Sequence, residues 1–308
     1  MIASLFSKTR PINYALIFLM LLSCYLLYQF QVSATDFTTN TLLEKATVLV
    51  LIVFSFFLVN FISLKNALTK NDNYAILIFF VFILLFPTIL DDTKIVLSNV
   101  FLLLALRRLV SLKTLNSPKE KIFDASFWIF LSAIFHFWSI LYIVLVFISI
   151  VFHTGKDFKN WLLPFVSFLC VWILYIFVSL ILFDNYTIND NIFDVSFNFF
   201  AFDNVYQNMA LALFVSISAL FFASQTFDYQ NKPLNMQSSY KQIYFSFILA
   251  VGIYIFSPNK SNDLLIYSFA PLSILGANMF EKFEDSVYKE VSLYLLFAVG
   301  LFFFFAQL

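Results

Sequence analysis

Long uninterrupted runs of apolar residues are the feature that most constrains the fold of this chain. Nine runs approach the length of about 20 residues that an α-helix needs to cross the hydrocarbon layer of a membrane. They lie at about 12–32, 46–64, 74–90, 95–112, 161–183, 207–224, 242–257, 264–280 and 291–307. Because the runs do not alternate in polarity, they predict membrane helices and not the strands of a β-barrel.

The composition supports the same class of protein. Of the 308 residues, 62% are hydrophobic and 12% are charged, whereas a soluble domain is about half apolar and a quarter charged. These values exclude a soluble enzyme, a nucleic-acid binder and a disordered chain. We therefore predict an all-α, polytopic integral membrane protein in contact with membrane lipids, with no nucleic-acid partner. With two His and two Cys in the sequence, a dedicated zinc or iron site is not expected.

Residues 125–152 form an apolar stretch that His136 interrupts. It fits either one long tilted helix or a hairpin of two short helices. With the N-terminus inside, the hairpin places fifteen of the 18 basic residues in cytoplasmic loops, whereas a single helix places ten there. Those fifteen are Lys8, Arg10, Lys65, Lys70, Arg107, Arg108, Lys113, Lys119, Lys121, Lys156, Lys159, Lys232, Lys241, Lys282 and Lys289. The charge distribution thus favours the hairpin, about eleven membrane segments and a C-terminus outside.

The organisation is that of a single integral membrane domain over 1–308. Residues 184–206 are rich in Asp and Asn and contain no Lys or Arg, which predicts an extracytoplasmic loop. The domain also includes residues 1–183, which precede this loop, and the additional spans of 207–308.

Acidic residues beside the bilayer are the first candidates for chemistry. Asp36 follows the first span, and the pair Asp91-Asp92 follows the third, so both are predicted on the outer face. A carboxylate there is suited to act as a general base, and the pair is suited to hold a divalent ion. The alternative is that these acidic residues have no chemical role and lie in solvent-exposed loops. The pair equally fits as the N-terminal cap of the fourth span.

Basic residues are scarce on the predicted outer face. Lys94 follows the acidic pair by two positions, and Lys260 lies in the tight loop of residues 257–260. Each is a candidate ligand for a phosphate group, with snorkelling to lipid headgroups as the alternative. His136, at the presumed hairpin turn, is a candidate contact for the same phosphate or a proton carrier, unless it serves only to bond its neighbours.

The order of these features resembles the membrane module of type C glycosyltransferases, which use polyprenyl-phosphate-linked sugars. In that family an acidic residue in the first outer loop corresponds to Asp36, and further acids in the next outer loop correspond to Asp91-Asp92. The likeness continues through the basic connection 107–121, the hairpin 125–152 and the Pro164-bearing span, and so covers about residues 1–183. The sequence departs from the pattern at the hairpin turn, where His136-Phe137-Trp138 replaces the usual basic residue and proline.

The resemblance implies a transferase acting at the extracytoplasmic face. Asp36, Asp91 and Asp92 would be its catalytic residues, and Lys94, His136 and Lys260 would bind the polyprenyl-phosphate sugar. Residues 4–6 and 10–13 also resemble an uncharacterised family of multi-pass bacterial inner-membrane proteins. This second resemblance implies that the protein is located in the inner membrane. The alternative hypothesis is a non-catalytic subunit or scaffold that meets a membrane-protein partner in a secretion, export or motility assembly.

Overall fold

The computed structural model describes residues 2–32, 39–183, 195–196, 204–228, 232–258, 260–283 and 285–308. Within these ranges the secondary structure is helical, with twelve α-helices and no strand. The α-helices are α1 (Ile2–Phe6), α2 (Pro11–Val32), α3 (Thr39–Lys65), α4 (Tyr74–Leu85), α5 (Thr93–Val110), α6 (Pro118–Phe135), α7 (Ile143–His153), α8 (Phe158–Phe183), α9 (Val205–Asp228), α10 (Leu234–Phe256), α11 (Ile266–Lys282) and α12 (Ser286–Gln307). Short 3₁₀ helices occupy Pro87–Leu90, Ser111–Thr114, Phe137–Tyr142 and Asn262–Leu265.

Eight helical segments of the described chain are long and apolar enough to cross a membrane, which identifies a multi-pass membrane protein. They are Pro11–Gln31, Thr39–Lys65, Thr93–Thr114, Phe158–Ile181, Val205–Phe227, Met236–Phe256, Asn262–Lys282 and Val287–Gln307. Two shorter apolar helices, Tyr74–Leu85 and Phe137–His153, accompany them. The all-α prediction is confirmed for the described residues.

The predicted third span, 74–90, is a 12-residue α-helix followed by a 3₁₀ turn. Pro87 explains the difference. A proline disfavours helical geometry in the residue before it and has no N–H to donate, so the α-helix ends at Leu85 and Phe86 leaves helical geometry, with φ −134° and ψ 74°.

The chain reverses direction at His136. This residue is extended, with φ −141° and ψ 105°, and separates α6 from the 3₁₀ turn that leads into α7. Lys119 at the start of α6 forms an ion pair with Asp157, just beyond the end of α7, at 3.5 Å. Because α7 ends at the level where α6 begins, the two helices run antiparallel.

Helices α4 and α11 form the centre of the bundle. All twelve residues of α4 are buried, and α11 is buried along most of its length. Phe82 of α4 packs edge-on against Phe214 of α9 and contacts Phe269 of α11, with ring centres 5.2 and 5.4 Å apart. A helix without a polar face, such as α4, is expected to be surrounded by protein or lipid on every side.

The bundle has two polar ends, named here after one residue of each. At the Lys232 end, the Lys232 ammonium donates to Oδ1 of Asn278 (2.7 Å), and the Tyr240 hydroxyl donates to the Leu68 carbonyl (2.6 Å). At the opposite His136 end lie the hairpin turn, the start of α5 and the connection from α10 to α11. The helix directions bring all fifteen basic residues predicted in cytoplasmic loops to the Lys232 end.

Candidate functional site

A cavity of about 370 Å³ opens at the His136 end. Three connections far apart in sequence form it: the start of α5, the hairpin turn, and the loop between α10 and α11. Its lining comprises Asp92, Lys94, Ile95, Phe135, His136, Phe137, Trp138, Ser257, Pro258, Lys260, Ser261 and Leu264. Its volume lies within the range of about 300 to 1,000 Å³ that is typical of small-molecule sites.

Four of the six predicted site residues therefore line one cavity: Asp92, Lys94, His136 and Lys260. Asp91 is exposed and is not part of the lining; it lies within electrostatic range of Tyr25 and Tyr28 of α2. Asp36 lies outside the described residues.

Asp92 has a structural role in addition to its place in the cavity. Its Oδ1 accepts a hydrogen bond of 2.9 Å from the backbone N–H of Ile95, so the side chain caps the N-terminus of α5. This is the alternative that the sequence allowed for the acidic pair. A carboxylate suits this position because the helix dipole favours an anion at the N-terminus of a helix.

The two cations of the cavity differ in their environment. Lys94 is exposed, in the first turn of α5. The Lys260 ammonium instead donates to the carbonyl oxygens of Ile255 (2.8 Å), Ser257 (3.1 Å) and Ser196. Burial lowers the pKa of Lys260 from its ordinary value. Lys94 is therefore better placed to meet an incoming anion, whereas Lys260 holds the α10–α11 connection together.

His136 lies half-buried in the turn between α6 and α7. Its ring centre is 5.7 Å from that of Tyr267, and its Nε2 is buried without a hydrogen-bond partner. Burial lowers the pKa of His136 to about 4, although the nearby Asp92 carboxylate opposes this shift. At neutral pH the imidazole is uncharged, so it would bind a ligand by hydrogen bonding and not as a cation.

A hydrogen-bonded network behind His136 fixes the inner side of the turn. The Tyr267 hydroxyl donates to Oγ of Ser98 (2.9 Å), which lies 2.7 Å from Oγ of Ser132 in α6. Pro271 has no N–H, so it leaves the carbonyl of Tyr267 without its helical partner, and the Tyr142 hydroxyl approaches that oxygen at 3.5 Å. The network connects α5, α6, the 3₁₀ turn Phe137–Tyr142 and α11 beside His136.

Trp138 and Asp263 were not singled out by the sequence reasoning. Trp138 lines the cavity, stacks on Phe256 with ring centres 5.5 Å apart, and has a buried indole N–H without a partner. Asp263 bonds the Thr88 hydroxyl and so joins the 3₁₀ turn after α4 to the one before α11. The aromatic run 135–138 was a usable signal for Trp138, but nothing in the sequence separates Asp263 from the other outer acids.

The described residues contain no group of three or more His, Cys, Asp or Glu side chains that could hold a metal ion. The Asp91-Asp92 pair therefore lacks a third acidic or imidazole ligand in the described part of the chain. Its predicted role with a divalent ion remains a prediction.

Comparison with known proteins places the chain in one family. A family model described as a family of unknown function (DUF6427) matches residues 1–308. No curated protein and no solved structure matches the chain.

Proposed function

We propose that this chain, which belongs to the DUF6427 family along its whole length, is a membrane transferase for a polyprenyl-phosphate-linked sugar. The observation that carries the proposal is the convergence of Asp92, Lys94 and His136 on one cavity. These residues come from two connections of the bundle and combine a carboxylate, an exposed ammonium and a neutral imidazole. Such a set suits a ligand that carries both a phosphate and hydroxyl groups.

The cavity lining divides into parts that match the parts of this substrate. Lys94 contacts the phosphate, and the unpartnered nitrogens of His136 and Trp138 supply hydrogen bonds to phosphate or sugar oxygens. The aromatic rings of Phe137 and Trp138 offer apolar surface to the sugar ring. Lys260 contributes positive charge near the phosphate while it holds the α10–α11 loop.

The reaction is a displacement at the anomeric carbon of the sugar. An acceptor hydroxyl oxygen forms a bond to that carbon as the bond from carbon to phosphate oxygen breaks, and the polyprenyl phosphate leaves. A carboxylate takes the proton of the hydroxyl. We assign this base to Asp36 from the sequence pattern, with Asp91 and Asp92 orienting the acceptor or holding a divalent ion.

The proposed orientation puts the His136 end outside the cytoplasm of a bacterial inner membrane. Counting α4 with its 3₁₀ turn, α6 and the 137–153 helix as membrane segments gives eleven. Fifteen cations gather at the Lys232 end, and Lys45, Lys94 and Lys260 lie towards the other. The positive-inside tendency supports this orientation.

The orientation is tested by cysteine labelling in intact spheroplasts, after Cys24 and Cys170 are replaced by Ser. An impermeant maleimide should label a cysteine at position 94 and leave one at position 156 unlabelled until the membrane is opened. The reverse pattern would contradict the orientation.

The activity is tested in right-side-out vesicles from a strain that lacks the chain and is complemented by plasmid-borne variants. A decaprenyl-phosphate hexose with a radiolabelled sugar is added, and the label that leaves the lipid fraction is counted. Asp36→Asn, Asp92→Asn and His136→Ala should each reduce transfer by about 100-fold or more. Glu44→Gln, an exposed acid at the start of α3 and outside the cavity lining, should transfer as wild type does. Full transfer by Asp36→Asn would reject the assignment of the base, and full transfer by both Asp36→Asn and Asp92→Asn would reject the mechanism.

One observation favours the alternative of a non-catalytic subunit. Asp92 caps α5, and Lys260 donates to a backbone carbonyl of the α10–α11 connection, so each residue has a structural role without any catalytic one. On this alternative, Asp92→Asn and His136→Ala would support growth and sugar transfer normally. A stoichiometric membrane-protein partner would then co-purify in mild detergent with the wild type and with both variants.

A further inference from the structure

A basic cluster occupies the Lys232 end where α3, α5 and α6 meet. Lys65 is the last residue of α3, and Arg107 and Arg108 lie in the last turn of α5. Lys113 follows in the 3₁₀ turn, and Lys121 lies near the start of α6. Lys65 and Arg108 both lie within electrostatic range of Lys121.

Three of the five cations have partners within the protein. Nη2 of Arg108 lies 2.8 Å from Oδ2 of Asp124. The Lys113 ammonium donates to the carbonyl of Asn66 (2.6 Å), and the Lys121 ammonium donates to a carbonyl and a hydroxyl oxygen of the turn 111–114 (2.8 Å each). The two lysines thus donate to backbone carbonyl oxygens at the ends of α3 and α5, where the helix itself supplies no donor.

Lys65 and Arg107 differ from the other three. Both lie over the ring of Phe61, with Nζ and Cζ at 4.8 and 4.4 Å from its centre. Neither forms an ion pair with a carboxylate of the described chain. Because each lies within 5 Å of the same ring centre, the two charged groups are held less than 10 Å apart.

An apolar stripe on α3 leads directly to these two cations. Val50, Phe54 and Phe57 are exposed by 65%, 43% and 56%, and they share one helix face with the half-buried Phe61. The stripe follows the part of α3 that is long and apolar enough to cross the membrane. An acyl chain lying on this stripe would therefore bring its headgroup to Lys65 and Arg107.

We propose that Lys65, Arg107 and Phe61 form a binding site for the phosphate of an anionic phospholipid, whose acyl chain lies along Val50, Phe54 and Phe57. Arg107 supplies the planar fork that phosphate oxygens accept, and Lys65 supplies a second charge. Basic pockets between membrane helices are suited to anionic headgroups. This site lies at the end of the bundle opposite the cavity and does not depend on the proposed transferase activity.

Native mass spectrometry of the full-length protein in detergent tests the site, with phosphatidylglycerol and phosphatidylcholine as probes. Lys65→Gln/Arg107→Gln should weaken phosphatidylglycerol binding by about tenfold or more. Lys156→Gln/Lys159→Gln removes the same charge at the same end but outside the cluster, and should retain binding. Phosphatidylcholine should bind weakly to all three proteins.

A single-residue variant keeps the test decisive if the double variant does not fold. Phe61→Leu keeps both charges and removes the ring that positions them, so it should weaken phosphatidylglycerol binding while the control pair does not. Equal loss in the cluster and control pairs, equal binding of the two lipids, or unchanged binding by Phe61→Leu would each overturn the proposal. Displacement of phosphatidylglycerol by millimolar inorganic phosphate would overturn the lipid assignment in favour of a free anion.

Discussion

The side chain of Asp72 forms a hydrogen bond with the side chain of Glu281, so two acidic groups from distant parts of the chain meet at the Lys232 end. Asp72 lies in the loop before α4 and is 4% exposed. Glu281 also accepts a bond of 2.7 Å from the backbone N–H of Lys70, and Asp72 accepts one of 3.2 Å from that of Tyr74. Two carboxyl groups bonded to each other must share a proton.

This contact predicts how stability depends on pH. Burial, the hydrogen bond to Glu281 and its charge raise the pKa of Asp72 from 3.8 to about 8, against the opposing charge of Lys289. The folded state thus holds a proton that the unfolded state loses, and the free energy of unfolding should fall as pH rises from about 4 to about 8. Asp72→Asn keeps a neutral donor and acceptor there. It should be more stable than wild type at pH 8.5, by on the order of 2 kcal/mol, and close to it at pH 4.

Thermal unfolding of the detergent-purified protein at the two pH values measures this difference. Glu290, which lies within electrostatic range of the neighbouring Tyr74, is unchanged in both proteins. Asp285→Asn, at the exposed start of α12, serves as the control and should follow the wild-type pH profile. A variant at Asp72 that lost stability with pH as steeply as wild type would contradict the shared proton.

Two substitutions at Asp92 separate its structural role from its proposed functional role. Asn caps a helix about as well as Asp, so Asp92→Asn should unfold within about 0.5 kcal/mol of wild type. Asp92→Ala removes the acceptor of the Ile95 N–H bond and should cost about 1 kcal/mol. Both variants lose the carboxylate and should lose transfer equally. Normal transfer by the Asn variant together with impaired transfer by the Ala variant would assign Asp92 to capping alone.

Much of the fold follows from the sequence because a membrane helix must satisfy its own backbone and needs a minimum length. The break at His136 follows from the distribution of charge around it. Once the helices alternate in direction, loops on one side of the membrane share one end of the bundle, and this predicts that Asp92, Lys94, His136 and Lys260 are neighbours. The sequence pattern does not predict which way each side chain points at that end of the bundle.

Individual side-chain directions were beyond sequence reasoning. The Lys260 ammonium turns back to nearby carbonyls, and Asp91 lies outside the cavity although Asp92 lines it. Such choices depend on which unsatisfied backbone groups are close in three dimensions. The contact between Asp72 and Glu281 joins residues more than 200 positions apart, and no local pattern predicts a pair at that separation.

Lys260 is predicted to contribute to stability through its three carbonyl partners. Lys260→Met keeps most of the apolar stem but leaves the carbonyl oxygens of Ile255, Ser257 and Ser196 without this donor. The loss should destabilise the protein by about 1 to 3 kcal/mol. Lys94→Met, an exposed residue of the same cavity, should change the unfolding temperature little while weakening decaprenyl phosphate binding. Equal unfolding temperatures for the two variants would remove the structural role assigned to Lys260.

Two glycines in neighbouring helices provide a matched test of packing. A Cβ atom at Gly276 of α11 would lie 2.6 Å from Cε2 of the buried Phe221 ring and 3.1 Å from Cδ1 of Ile78. Because this ring is packed in the core, Gly276→Ala should force it to shift and cost about 1 to 3 kcal/mol. At Gly252 of α10 the nearest atom, Cδ1 of Leu141, is 3.7 Å away, so alanine fits and should gain up to about 1 kcal/mol of helix propensity. Opposite shifts in thermal unfolding are therefore expected from the same chemical change, and a stabilised Gly276→Ala would mean that α11 does not pack against α9 as described.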